Sequence, residues 1–259
     1  MNTLVHSGGQ YRSPDLQPSL FSRTFPSSIF YIKFLHCVWN SARLARKNLY
    51  DGDAWVQSSL AVFQALEEAG VRFDIRGIDF LREEEGPCVF IGNHMSMLET
   101  MILPGLIQPL KDVTFVIKQT LLEYPIFKHI MRARMPIAVR RQNPRHDLKV
   151  VLEEGMKRLH AGMSIIIFPQ TTRTTHFDPA KFNSIGVKLS QKADVPVIPV
   201  ALLTDAWQNG RYLKDFGRIV PEKPVLISFG QSLRAKNCNK ECHVHVVNFI
   251  QKTLREEQL

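Results

Sequence analysis

Cys88-Val-Phe-Ile-Gly-Asn-His-Met-Ser-Met-Leu-Glu99 joins an apolar run to the start of a helical pattern within one short segment. Cys88 to Ile91 reads as a buried strand that ends at Gly92, with Asn93 and His94 in the turn that follows. Open α/β sheets place their sites at such a point, the carboxyl end of a strand just before a helix. Ser96-Met-Leu-Glu99 also has the spacing of a capping box, with Ser96 as N-cap and Glu99 reaching back. His94 and Glu99 would diverge by about 140° on a regular helix at 3.6 residues per turn. They can meet only if His94 precedes the helix, which is where the capping box puts it. The expectation is a His94–Glu99 pair in which the carboxylate orients the imidazole and fixes its tautomer, as a general base requires.

A second loop has the same construction. Ile165-Ile-Ile-Phe-Pro-Gln-Thr-Thr-Arg173 is a buried strand that runs into polar residues. Between the two loops lie Lys118 and the strand end Val139-Arg140-Arg141, and beyond them comes Val195-Pro-Val-Ile-Pro-Val200. Taken in this order, the four pieces resemble the 1-acyl-glycerol-3-phosphate (lysophosphatidate) acyltransferase family. That family carries N-H-x4-D, a lysine and an arginine strand end, F-P-E-G-T-R, and a V-P-V-I-P-V strand. The resemblance covers roughly residues 71–232. It implies a glycerolipid acyltransferase-like α/β fold and transfer of a fatty acyl group from an acyl thioester to a lysophospholipid hydroxyl.

The residues state the same chemistry in their own terms. Acyl transfer to an alcohol needs a base, donors for the developing oxyanion, and grips for both substrates. His94 is the one histidine with a carboxylate at a plausible position, so His94 and Glu99 are the expected catalytic pair. No G-x-S-x-G elbow is present, Ser96 is better used as a cap, and Cys88 lies inside a strand. This favours direct attack by the acceptor hydroxyl without an acyl-enzyme. Arg173, after Thr171 and Thr172, is placed to hold phosphate in a bidentate manner. Asn93, Lys118, Arg141, Gln170, Thr171, Thr172 and Arg173 form the expected substrate-binding set.

Two positions depart from the family's pattern. Its aspartate is Glu99 here, one methylene longer, and the Glu-Gly of its second loop is Gln170-Thr171. The departures leave open an acyltransferase for another lysolipid, or a non-catalytic lipid-binding protein.

Composition sets the outer limits. The chain has 259 residues, enough for one large α/β domain, with ordinary hydrophobic (44%) and charged (22%) content. A net charge of +9 suits an anionic partner: lipid headgroups, an acidic acyl carrier protein, or nucleic acid. No nucleic-acid motif accompanies the basic run Arg132 to Arg145, so nucleic acid is not expected. The four scattered cysteines read as reduced thiols, and Cys238-x3-Cys242-His243-x-His245 fits no standard metal-ligand pattern. No metal or organic cofactor is expected; acyl-CoA or acyl carrier protein is the implied co-substrate. No stretch approaches the ~18 apolar residues of a membrane-spanning helix, and no signal peptide is evident.

Along the chain, residues 1–25 show no period and read as a disordered tail. Residues 26–70 read as two amphipathic helices, the first with Phe30, Phe34, Leu35, Val38, Ala42, Ala45 and Leu49 at helical spacing and Arg43, Arg46 and Lys47 near its end. Such a pair can pack on the domain or lie in a bilayer interface. The family resemblance favours membrane contact, and so a peripheral protein on the cytoplasmic face. From residue 71 to residue 259 strands and helices alternate, which predicts a mainly parallel sheet flanked by helices.

Overall fold

The computed structural model describes residues 9–15, 18–125, 127–170, 172–234 and 239–257. The N-terminal part contains β1 (Tyr11–Arg12), α1 (Leu20–Thr24), α2 (Pro26–Arg46) and α3 (Gly52–Glu68). The alternating part runs β2 (Phe73–Arg76), α4 (Asp79–Glu83), β3 (Val89–Gly92), α5 (Leu98–Ile107), β4 (Val113–Lys118), α6 (Phe127–Ala133), β5 (Ile137–Val139) and α7 (Pro144–His160). It continues with β6 (Ser164–Ile167), α8 (Ile185–Ala193), β7 (Val197–Leu203), β8 (Val225–Phe229) and α9 (Asn239–Glu256). Local chemistry accounts for several of these boundaries. Asn143 caps α7 by accepting from Arg145 and His146 N–H, and Pro144 occupies the first turn, where its missing N–H costs nothing. Asp51 caps α3 by accepting from Ala54 N–H.

The eight strands lie in the order β1-β2-β8-β7-β3-β6-β4-β5. β3, β6, β7, β4 and β5 pair in parallel, whereas β8 is antiparallel to β7 and β1 is antiparallel to β2. Successive strand side chains point to opposite faces, and each face has its own core. Phe90, Ile166, Ile198 and Leu202 face α2, α3 and α5, while Val89, Ile91, Ile165, Ile167 and Ala201 face α7, α8 and α9. Strands covered on both faces must be apolar throughout, which is why β3, β6 and β7 read as unbroken runs.

Two expectations for the N-terminal part change. Residues 1–8 and 16–17 lie outside the described residues, but Tyr11–Arg12 forms an edge strand on β2 and Leu20–Thr24 a helical turn, where a tail was expected. Most of the periodic stripe of α2 turns inward, whereas its Leu35 and, past the helix end, Leu49 are exposed. Phe30 and Phe34 are 0% and 1% exposed, and their rings pack against Trp207 at 4.7 and 5.1 Å. Val38, Ala42 and Ala45 are buried on the same side. A second apolar set, Ile32, Leu35 and Trp39, faces outward at 70%, 48% and 60% exposure. The helical pair is thus part of the main core and also carries an uncovered apolar face. Among the described residues no helix is long and apolar enough to cross a membrane.

Candidate active site

The parallel register sets Ile91 opposite Ile167, so the loops leaving β3 and β6 emerge side by side. Three links hold them together. The His94 main-chain N–H donates to Gln170 Oε1 at 2.7 Å, and Thr174 N–H donates to the His94 carbonyl at 3.0 Å. The imidazole stacks flat on Phe168, 4.5 Å between centroids and 4° between planes. On the other flank the Asn93 amide donates to and accepts from the Leu202 main chain, both at 2.8 Å. Asn93 in effect extends the β3–β7 ladder by a side chain.

His94 Nδ1 lies 2.8 Å from Glu99 Oε1. The capping box forms with a small shift: Leu98 N–H donates to Ser96 Oγ, and Glu99 reaches back to the Ser96 N–H. Glu99 is fully buried and receives an unusual number of donors for one carboxylate. Oε1 accepts from Met95 N–H (2.6 Å), Ser96 N–H (2.9 Å) and His94, while Oε2 accepts from Thr204 Oγ1 (2.6 Å) and lies 3.0 Å from Ser96 Oγ. Burial by itself would push the Glu99 carboxyl up. The hydrogen bond and charge of His94, with the bonds from Thr204 and Ser96, more than offset this and hold it below the usual glutamate value. An ionised carboxylate at Nδ1 requires the proton on that nitrogen, which leaves Nε2 as the basic atom of a ring that lines a cavity. The extra methylene of Glu99 relative to an aspartate is taken up by these contacts, and the pair closes.

The cavity has a volume of about 400 Å³. Its ionisable lining is His94, Lys118, Arg141, Arg173, Lys214 and Asp215, all from strand ends or loops. Its apolar lining comes from helices and β4 and includes Trp55, Met101, Phe115, Leu121, Phe127 and Ile130. Arg141 has φ 59°, a left-handed backbone, and the Asp147 carboxylate holds it there by accepting from the Arg140 and Arg141 N–H groups. Desolvation at the rim and the neighbouring Arg173 charge pull the Arg141 guanidinium below its usual range, partly opposed by Asp147. Two guanidiniums that repel across a cavity form a site that an anion would relieve. Arg173 donates to Asp215 at 2.7 Å.

Of the residues expected from sequence, His94, Lys118, Arg141, Thr172 and Arg173 meet at this cavity, with Glu99 behind His94. Asn93 and Gln170 do not line it. Both are buried and brace the main chain, Gln170 between His94 N–H and Thr174 Oγ1. Each amide is taken up by neighbouring main chain, the Leu202 peptide groups for Asn93 and the His94 N–H for Gln170. Thr171 lies outside the described residues. Among those residues no group of three or more His, Cys, Asp or Glu side chains is arranged to hold a metal ion, and Cys242 faces the core; Cys238 lies outside them. Sequence reasoning missed Phe168, Thr204, Lys214 and Asp215. Phe168 adjoins the Pro-Gln turn and was visible in the quoted loop, whereas the other three follow Val200 in a stretch without periodicity.

Fold and site together define a class: a parallel α/β protein whose central strand ends present a histidine–glutamate pair beside a group of cations. The chain belongs to the acyltransferase family; the family model described as Acyltransferase matches residues 72–203. It is 35% identical over 169 residues to the 1-acyl-sn-glycerol-3-phosphate acyltransferase of Pseudomonas aeruginosa, which covers 64% of each chain. It is 29% identical over 132 residues to human 1-acyl-sn-glycerol-3-phosphate acyltransferase beta, 51% of this chain and 46% of that protein. The matched region thus spans less than two thirds of these relatives' own length. The crystal structure of the 1-acyl-sn-glycerophosphate (LPA) acyltransferase PlsC from Thermotoga maritima has the same fold, with a TM-score of 0.68 over 91% of this chain and 96% of that one at 17% identity.

Proposed function

We propose that this protein is an O-acyltransferase that moves a fatty acyl group from an acyl thioester, acyl-CoA or acyl carrier protein, to the free hydroxyl of 1-acyl-glycerol-3-phosphate. The observation that carries the reading is the meeting, in one cavity, of the glutamate-oriented His94, several cations and a long apolar wall. His94 Nε2 takes the proton of the acceptor hydroxyl as its oxygen attacks the thioester carbonyl. The tetrahedral intermediate collapses with loss of the thiol, which takes up the proton, and His94 is regenerated. Glu99 holds the Nδ1 proton and offsets the charge of the transient imidazolium. Arg141 and Arg173, with Lys118, take the acceptor phosphate, and the apolar wall takes an acyl chain.

Gln170 supports activity over its loss. Its Oε1 accepts from the His94 N–H as a carboxylate oxygen would, so the departure from glutamate leaves that brace in place. Membrane contact is supported by the outward set Ile32, Leu35 and Trp39, with Phe21 and Phe25 nearby in sequence and Arg43 and Arg46 at the α2 end. The protein would then sit peripherally on the cytoplasmic face of a membrane.

The test is thiol release from an acyl thioester with 1-acyl-glycerol-3-phosphate as acceptor. His94→Ala should slow turnover by ~10²–10⁴ while the melting temperature stays near that of the parent. A folded His94→Ala protein with near-normal turnover would remove the mechanism.

A further inference from the structure

The loop from Thr204 to Val220 brings Asp215 to Arg173, and nothing in the mechanism above uses that carboxylate. Its base is closed by Val220 N–H to Ala206 O (2.8 Å) and Gln208 N–H to Arg218 O (2.9 Å). Asn209 Nδ2 donates to Met95 O in the loop that carries His94, and Tyr31 Oη of α2 donates to Gly217 O at 2.5 Å. The two passes of the loop are in contact at Gly217, where a Cβ would fall 1.7 Å from the Gln208 carbonyl oxygen. Asp215 is therefore held at a set place, 2.7 Å from Arg173 Nη1 and mostly shielded from solvent.

We propose that Asp215 is the positioning residue of the phosphate grip, fixing the Arg173 guanidinium so that its remaining N–H groups face the cavity. A free arginine side chain gives up rotamer entropy when it is ordered. A carboxylate on one nitrogen meets that loss before substrate arrives. The other terminal nitrogen, Nη2, lies 3.6 Å from Met97 Sδ, a weak acceptor that a phosphate oxygen readily replaces.

The inference rests on Arg173 as a phosphate-binding residue, and the experiment separates the two claims. Steady-state kinetics are measured for Asp215→Ala, Asp215→Asn, Asp215→Glu and Arg173→Ala with an acyl thioester and 1-acyl-glycerol-3-phosphate, together with melting temperatures. Asp215→Ala should raise the acceptor KM about five- to tenfold, with little change in kcat or donor KM, and Asp215→Glu should recover part of the loss. An acceptor KM that is unchanged or lower overturns the proposal, the latter meaning that the carboxylate competes with phosphate. A parallel loss in kcat and both KM values with a lower melting temperature overturns it as well, since that marks a merely structural role. If Arg173→Ala leaves the acceptor KM unchanged, the phosphate reading itself fails. If Arg173→Ala raises it and Asp215→Ala does not, only the role of Asp215 fails.

Discussion

Replacing Glu99 by glutamine separates its two tasks, because the substitution keeps the shape and removes the charge. Oε1 receives three N–H donors, from Met95, Ser96 and His94, whereas Oε2 meets two hydroxyls, Thr204 and Ser96. A glutamine that keeps its oxygen at Oε1 can place its NH₂ at Oε2, where the Thr204 hydroxyl can rotate to accept. Every buried group then retains a partner, so the protein should fold. Exchanging charged for neutral hydrogen bonds should still cost about 1.5–3 kcal/mol at neutral pH. The folded carboxyl lies below its ordinary value of 4.5, so its contribution is fully present above that value and lost as pH falls through the folded pKa. Glu99→Gln should accordingly flatten the acid limb of the stability profile. Glu99→Ala should be worse, because Met95 and Ser96 N–H would be orphaned at about 1–3 kcal/mol each. In the thiol-release assay Glu99→Gln should lose at least tenfold, ~1.4 kcal/mol, yet less than His94→Ala, because the glutamine oxygen still holds the Nδ1 proton. The double variant should be about as slow as His94→Ala alone, since the two residues act as a unit. A well-folded Glu99→Gln protein with parental turnover, or additive losses in the double variant, would refute the pairing.

Gln170→Glu should change turnover by less than tenfold, because the His94 N–H keeps its acceptor and the Thr174 hydroxyl can redirect to the new carboxylate the hydrogen it gives to the His176 carbonyl; a larger change in the same assay would mean that Gln170 meets substrate directly. The two faces of α2 should respond differently. Phe34→Ala should lower stability by about 3–5 kcal/mol in denaturant unfolding. Ile32→Asp with Trp39→Asp should leave stability nearly unchanged and weaken sedimentation with anionic vesicles, and unchanged sedimentation would rule out this face as the membrane contact. Substitution is the right test here, since removing α2 would also remove the rings that pack on Trp207.

What the sequence determined by itself is the part written in local periods. The runs at Val89–Gly92, Ser164–Ile167 and Val197–Leu203 could be read as strands because covering on both faces demands unbroken apolar residues. Ser96 and Glu99 marked a helix start, and that start dictated that His94 and Glu99 should meet, since both lie within one turn of chain. The expected sheet and its site at strand ends followed from the alternation of elements. Tertiary structure alone decided which surface each residue would use. α2 carries apolar residues on two sides, and only packing against Trp207 selected Phe30 and Phe34 as the inner ones. Gln170 and Asn93, polar residues beside the His94–Glu99 pair, turned inward because the adjoining His94 N–H and Leu202 main chain are buried and need partners. Thr204 and Asp215 reach Glu99 and Arg173 across 105 and 42 positions of sequence. Such meetings depend on strand register and loop path, which no local pattern encodes, because hydrophobic spacing specifies what is buried and leaves open which distant groups are buried together.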